Sequence, residues 1–79
     1  MTLITEARVF YYARGWHVVG KVGVRGHLTT AVKAVSPDGR TFRTLNTTYQ
    51  LEAALDWHED LPRTLPNTDD VLPNTEEGV

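Results

Sequence analysis

Three histidines, one serine and a glycine-spaced basic run are the residues of this 79-residue chain whose types could do chemistry. His17, His27 and His58 do not stand at metal-ligand spacing, and the chain holds no cysteine to complete a zinc set. "WHED" at 57–60 begins like H-E-x-x-H, but Pro62 occupies the place of the second histidine. The bland reading, surface or edge packing, therefore suits all three. Ser36 sits in "SPDGR", a turn composition, without the strand-to-helix glycines that lift a nucleophile. "GKVGVRG" spaces Gly20, Gly23 and Gly26 around Lys21 and Arg25, which is neither phosphate-loop pattern; a twisted strand running into a turn explains it. No nucleophile, base and orienting group can be assembled. The expectation is a protein that is not an enzyme, with no catalytic residue, no metal and no cofactor.

Binding is left, and the charge layout is the best guide to it. The net charge of −2 hides a division: residues 1–57 carry seven cationic side chains against four acidic ones. Residues 58–79 carry Arg63 alone against Glu59, Asp60, Asp69, Asp70, Glu76 and Glu77. A basic body bears an acidic tail. Neither a signal peptide nor an apolar run long enough for a membrane span stands out, so the expectation is a cytoplasmic protein with no membrane partner.

The elements that must position these residues read as four strands and a helix. "ARVFYYAR" (7–14), "GWHVVGKVGV" (15–24), "HLTTAVKAV" (27–35) and "RTFRTL" (40–45) are rich in β-branched and aromatic residues. Pro37 and Asp38-Gly39 supply turn chemistry between the last two. Then the period changes. Thr47 and Gln50 fit a capping box, and Leu51, Ala54, Leu55 and His58 recur at helical spacing, which predicts an amphipathic helix over 48–59 ended by Pro62. The expected fold is α+β: a small antiparallel sheet of three to four strands packed on one C-terminal helix. Residues 1–60 form the compact domain and residues 61–79 a flexible tail rich in proline and acid.

Strand parity then sorts the side chains. On the second strand His17, Lys21 and Arg25 fall on one face and Val18, Val22 and Val24 on the other. Lys33 opposes Leu28 and Val32 on the third strand, and Arg43 opposes Phe42 on the fourth. With the apolar side on the helix, a basic sheet face of His17, Lys21, Arg25, Lys33 and Arg43 would be open to nucleic acid or to an acidic partner. Ordinary solubility is the competing reading, since an exposed sheet face must be polar. On the helix, Tyr49, Ala53 and Trp57 run along the side away from Leu51 and Leu55, flanked by Glu52 and Asp56. An exposed aromatic stripe edged by acids has the composition of a protein-binding surface, unless Trp57 folds over the sheet edge or onto the tail prolines. The edge at Ala7–Arg14 would allow a strand-paired homodimer.

The tail repeats L-P-x-T, starting at Leu61, Leu65 and Leu72. The repeat resembles the sortase sorting motif, but the fifth positions are Leu65, Asp69 and Glu76 rather than glycine. The copies read as a polyproline-prone acidic tail, or as weak docking units.

Two wider resemblances follow from "PDGRTFRTLNTTYQLEAALDW" and its continuation "HEDLP". A hairpin, threonines and a short Ala/Leu helix are similar to small phage-encoded anti-CRISPR inhibitors, which implies a phage or mobile-element regulator that blocks a host protein complex of nucleic-acid machinery. The same stretch resembles the integrase-arm and AP2-type three-stranded-sheet modules, which implies DNA contacts from Lys21, Arg25, Lys33 and Arg43. The expectation is thus a small non-enzymatic binding protein: an inhibitor of a host protein first, a sheet-face DNA-binding module second.

Overall fold

A computed structural model describes residues 1–67. The fold is all-β among these residues, with strands β1 (Thr2–Tyr12), β2 (Gly15–Val22), β3 (Arg25–Leu28), β4 (Ala34–Val35), β5 (Thr41–Arg43) and β6 (Thr48–Leu51). They form one mixed sheet in the order β3-β2-β1-β6-β5-β4. The expected α+β class, an antiparallel sheet of three to four strands with a C-terminal helix, is overturned: the sheet has six strands, β1 and β6 pair in parallel, and no helix occurs among the described residues.

The helix expectation failed where two periods overlap. Over Thr48–Leu51 the residues alternate, with Tyr49 and Leu51 buried and Thr48 and Gln50 half-buried, which is strand burial at period two. The same Leu51 also opens the 3.6-residue pattern that suggested a helix. Pairing decides between them. As a strand, β6 lies parallel to Thr2–Ile4 of β1 and antiparallel to Thr41–Arg43 of β5, so it completes ladders on both sides. A helix there would leave the ladder edges of β1 and β5 open. Residues 52–59 then run irregularly across the sheet, held where Trp57 Nε1–H donates to the Gly39 carbonyl oxygen at 2.8 Å.

The first two strands form a hairpin closed by Ala13-Arg14, with both residues at positive φ (50° and 65°). The expected third strand is broken in two. Val22↔Arg25 pairing places a turn at Gly23-Val24, and residues 29–33 form a connection that crosses from β3 to β4. Its bonds run to both halves of the sheet: Val32 N–H to the Trp16 carbonyl at 2.7 Å and Lys33 N–H to that of Arg43 at 2.7 Å.

A bulge divides β1. The register with β2 shifts between Thr5 and Arg8, and Glu6 lies at φ 52°. The N-terminal end of β1 thus pairs with β6, and its longer C-terminal part pairs with β2. One side of the expected homodimer edge, Ala7–Arg14, is therefore taken by β2 as far as Tyr12. At the bulge Gly20 makes the closest backbone approach: a Cβ there would lie 2.7 Å from the Thr5 carbonyl oxygen. The sheet curls enough to bring β3 across from β6, where His27 Nε2 and the Tyr49 hydroxyl are 3.0 Å apart.

The core fills the inner side of this curl. Ile4, Val18, Val32, Val35, Phe42, Tyr49, Leu51, Trp57 and Leu61 are buried there, with Trp16, Val22 and Leu55 packed around them. Phe42 is the central ring, stacked on Tyr49 at 4.8 Å and tilted against Trp57 at 5.3 Å.

The first residues assigned to a free tail lie against the sheet. Leu61 is buried, and residues 62–65 run beside the edge of β4: Val35 N–H donates to the Pro62 carbonyl at 2.9 Å and Leu65 N–H to that of Val35 at 3.2 Å. Asp38 N–H donates to Asn67 Oδ1 at 3.0 Å. The leucine and proline of the first L-P-x-T copy thus cover a sheet edge that would otherwise be open. The third copy and the rest of the expected tail, 68–79, lie outside the described residues, as does the threonine of the second copy.

Candidate functional site

Register and pleat assign every side chain of the β1–β2–β3 wing to a face. Directly paired residues share a face, and neighbours along a strand alternate. Beyond the bulge, Val9 pairs with buried Val18 and belongs to the inner face. Arg8, Phe10 and Tyr12 therefore point outward from β1. Their partners continue the outer face on β2: Val19 opposite Arg8 and His17 opposite Phe10, with Lys21 two residues further on. Leu28, paired with Val19, extends it to β3.

The aromatic part of this face is contiguous. Phe10 and His17 are stacked at 5.6 Å with 25° between their planes, and Tyr12 meets His17 edge-on at 6.2 Å. His17 is held in place from behind, with Nδ1 at 3.1 Å from the Thr29 carbonyl oxygen. That oxygen only accepts, so Nδ1 carries the hydrogen and Nε2 is left as the acceptor of the neutral ring. Thr29 is itself buried and fixed, its hydroxyl oxygen accepting the Val18 N–H at 3.0 Å. Phe10, Tyr12, His17, Leu28, Thr29 and Thr30 line an open hollow of about 610 Å³. Tyr12 is 67% exposed and Leu28 63%, so both are open to a ligand on this face.

Cationic residues stand at both ends of the aromatic row along the hairpin. Arg8 and Lys21 share the outer face, and exposed Arg14 stands in the hairpin turn directly after Tyr12. Across residues 1–28 four cationic side chains face one acid, Glu6. Glu6 Oε1 lies 3.5 Å from Lys21 Nζ, but both side chains are exposed and such a pair is weak in water. The acids gather elsewhere: Glu52, Asp56, Glu59 and Asp60 lie in the irregular segment after β6.

Of the basic residues named from the sequence, the structure keeps His17 and Lys21 on one face, four residues apart along β2. Arg25 pairs with Val22 and so falls on the opposite face, because the turn at Gly23-Val24 restarts the alternation. Lys33 is exposed in the connection before β4. Arg43 lies on β5, separated from β2 by β1 and β6, a span of roughly 14 Å at the usual strand spacing. The expected helix face does not exist. Tyr49 and Trp57 are buried at 6% and 7% exposure, whereas Glu52 and Asp56 are exposed but flank no aromatic stripe. Sequence reasoning missed Arg8, Phe10, Tyr12 and Arg14. Their signal was the R-x-F-x-Y alternation in "ARVFYYAR", which places a cation and two rings on one face.

Among the described residues no group of three or more His, Cys, Asp or Glu side chains is placed to hold a metal ion. No helix among them is long and apolar enough to cross a membrane. No family model, no curated protein and no solved structure matches the chain.

Proposed function

We propose that this chain is a non-enzymatic nucleic-acid-binding module that uses the outer face of β1–β2–β3. The observation that carries the reading is the contiguous Phe10, His17 and Tyr12 group bordered by Arg8, Arg14 and Lys21. Cations supply the sequence-independent attraction to phosphates, and exposed rings supply contacts to bases. This retains the sheet-face reading of the sequence but moves its residues: Arg8 and Arg14 replace Arg25, Lys33 and Arg43. A cytoplasmic location accords with such a partner.

Inhibition of a host protein complex is the competing reading. Its chosen surface paired Tyr49 and Trp57 on a helix, and both rings belong to the core, Tyr49 stacked on Phe42 and Trp57 tilted against it. A protein partner would therefore have to use the same outer face.

Binding of a labelled mixed-sequence DNA to the whole chain at increasing salt tests the proposal. Affinity should fall log-linearly with salt, and Arg8→Gln with Lys21→Gln should weaken binding and flatten that slope. Absence of binding at low salt would overturn it.

A further inference from the structure

The same face carries a narrower inference, which rests on the reading above: we infer that its ligand is single-stranded, with bases stacked on the aromatic residues and the strand gripped at its phosphates by the bordering cations. Two observations favour a single strand over a duplex, and a third bears on how its backbone is gripped.

The first is the kind of side chain at the centre of the face. A duplex presents phosphates and base edges, and the face that reads it needs polar donors and acceptors in the middle. Here the centre is Phe10, Tyr12, Val19 and Leu28, with polar atoms only on the His17 ring and at the Tyr12 hydroxyl. Flat apolar rings match the π-faces of unstacked bases, which a duplex keeps hidden inside its stack.

The second is the hollow. Phe10, Tyr12, His17, Leu28, Thr29 and Thr30 line an open depression. Its open volume of about 610 Å³ leaves room above the rings for a splayed-out base. A helix laid on the sheet would bridge over such a depression and leave Tyr12 and Leu28 unfilled.

The third is where the cations stand. Arg8 follows the bulge on β1, Lys21 lies towards the far end of β2, and Arg14 sits at the hairpin tip beside Tyr12. They border the rings at both ends of the hairpin, so a backbone running along it passes cations before and after the stacking residues. The tip is held in a costly conformation, since neither Ala13 nor Arg14 is the residue type that favours positive φ. Asn-Gly would close this turn with less strain, so the choice of arginine spends stability on placing a cation there.

Fluorescence anisotropy of the full chain with a labelled oligo-dT of about 12 nucleotides, and with a duplex of the same length, tests the inference. The single strand should bind at least tenfold more tightly than the duplex. Tyr12→Ala should weaken it about tenfold, the effect of losing one stacked base. Tyr12 is exposed, so this variant should keep its fold, as its unfolding midpoint will show. Tyr11→Ala is the matched control, since Tyr11 is 59% exposed on the opposite face beside Trp16 and should leave binding unchanged. Equal or tighter duplex binding, or an unaffected Tyr12→Ala, would overturn the single-strand inference while leaving nucleic-acid binding in place. Failure of both probes to bind at low salt would overturn both, and would turn this face to a protein partner.

Discussion

The indole of Trp57 and the carbonyl of Gly39 are joined by a 2.8 Å hydrogen bond that fastens the irregular segment after β6 to the β4–β5 hairpin turn. Gly39 lies at φ 75°, and a Cβ there would meet Ala54 Cβ at 3.2 Å and Trp57 Cδ1 at 3.4 Å. Residues 52–59 have no regular backbone pattern, so this bond and the Phe42–Trp57 ring contact hold them in place. Trp57→Phe keeps most of the packing and removes the donor, and should cost about 1 kcal/mol in urea unfolding. Trp57→Ala should cost about 3–5 kcal/mol, a large part of what a domain this small possesses.

The hairpin tip gives the opposite sign. Ala13 and Arg14 both occupy left-handed conformations, each costing roughly 1–2 kcal/mol for an ordinary residue. Ala13→Asn should raise the unfolding midpoint and leave nucleic-acid binding intact. Arg14→Gly should raise the midpoint as well, yet weaken binding, because it relieves strain and removes a cation together. Thermal unfolding and anisotropy on the same two proteins separate these effects.

Glycines in β2 and β3 should respond differently to the same substitution. Gly20→Ala sets a methyl 2.7 Å from the Thr5 carbonyl oxygen, 3.0 Å from Ile4 Cγ1 and 3.1 Å from Ala7 Cα. Backbone must move, and the bulge with it, for a loss of about 1–3 kcal/mol. Gly26→Ala meets nothing within 4 Å and should be neutral or nearly so. Circular dichroism melts of the two variants check this directly.

Glu6 should act as a brake on binding. It is the one acid among residues 1–28 and sits 3.5 Å from Lys21. Glu6→Gln should tighten oligo-dT binding at low salt, with the gain fading as screening increases. Stability should change little, since the pair is exposed.

Much of the sheet was legible in the sequence. The part of β1 from Ala7 to Tyr12 and the strand β2 follow from β-branched and aromatic runs, though Thr2–Glu6 was not read as strand, and "SPDGR" does form the β4–β5 turn, with Gly39 at positive φ and Gly39 N–H donating to the Ser36 carbonyl at 3.0 Å. Three features were hidden for physical reasons. Thr48–Leu51 satisfies both a strand and a helix period, and pairing decides between them, with β5 on one side and Thr2–Ile4, 47 positions away, on the other. Gly23-Val24 is a weak turn signal, so the strand was read straight through and Arg25 was put on the wrong face. The bulge at Glu6 has no sequence mark at all, since glutamate rarely takes positive φ. The site was legible only in part. Parity found His17 and Lys21 but set them among residues that the topology sends elsewhere. The R-x-F-x-Y row on β1 was passed over because parity was followed only on the second, third and fourth strands.

The most direct measurement is an amide correlation spectrum of the full chain, titrated at low salt with oligo-dT. Amides of Arg8–Tyr12, His17–Lys21 and Leu28–Thr30 should shift progressively, while those of Phe42, Tyr49 and Trp57 stay in place. Shifts confined to the acidic segment 52–60, or no shifts at all, would contradict the outer face of β1–β2–β3 as a nucleic-acid-binding surface.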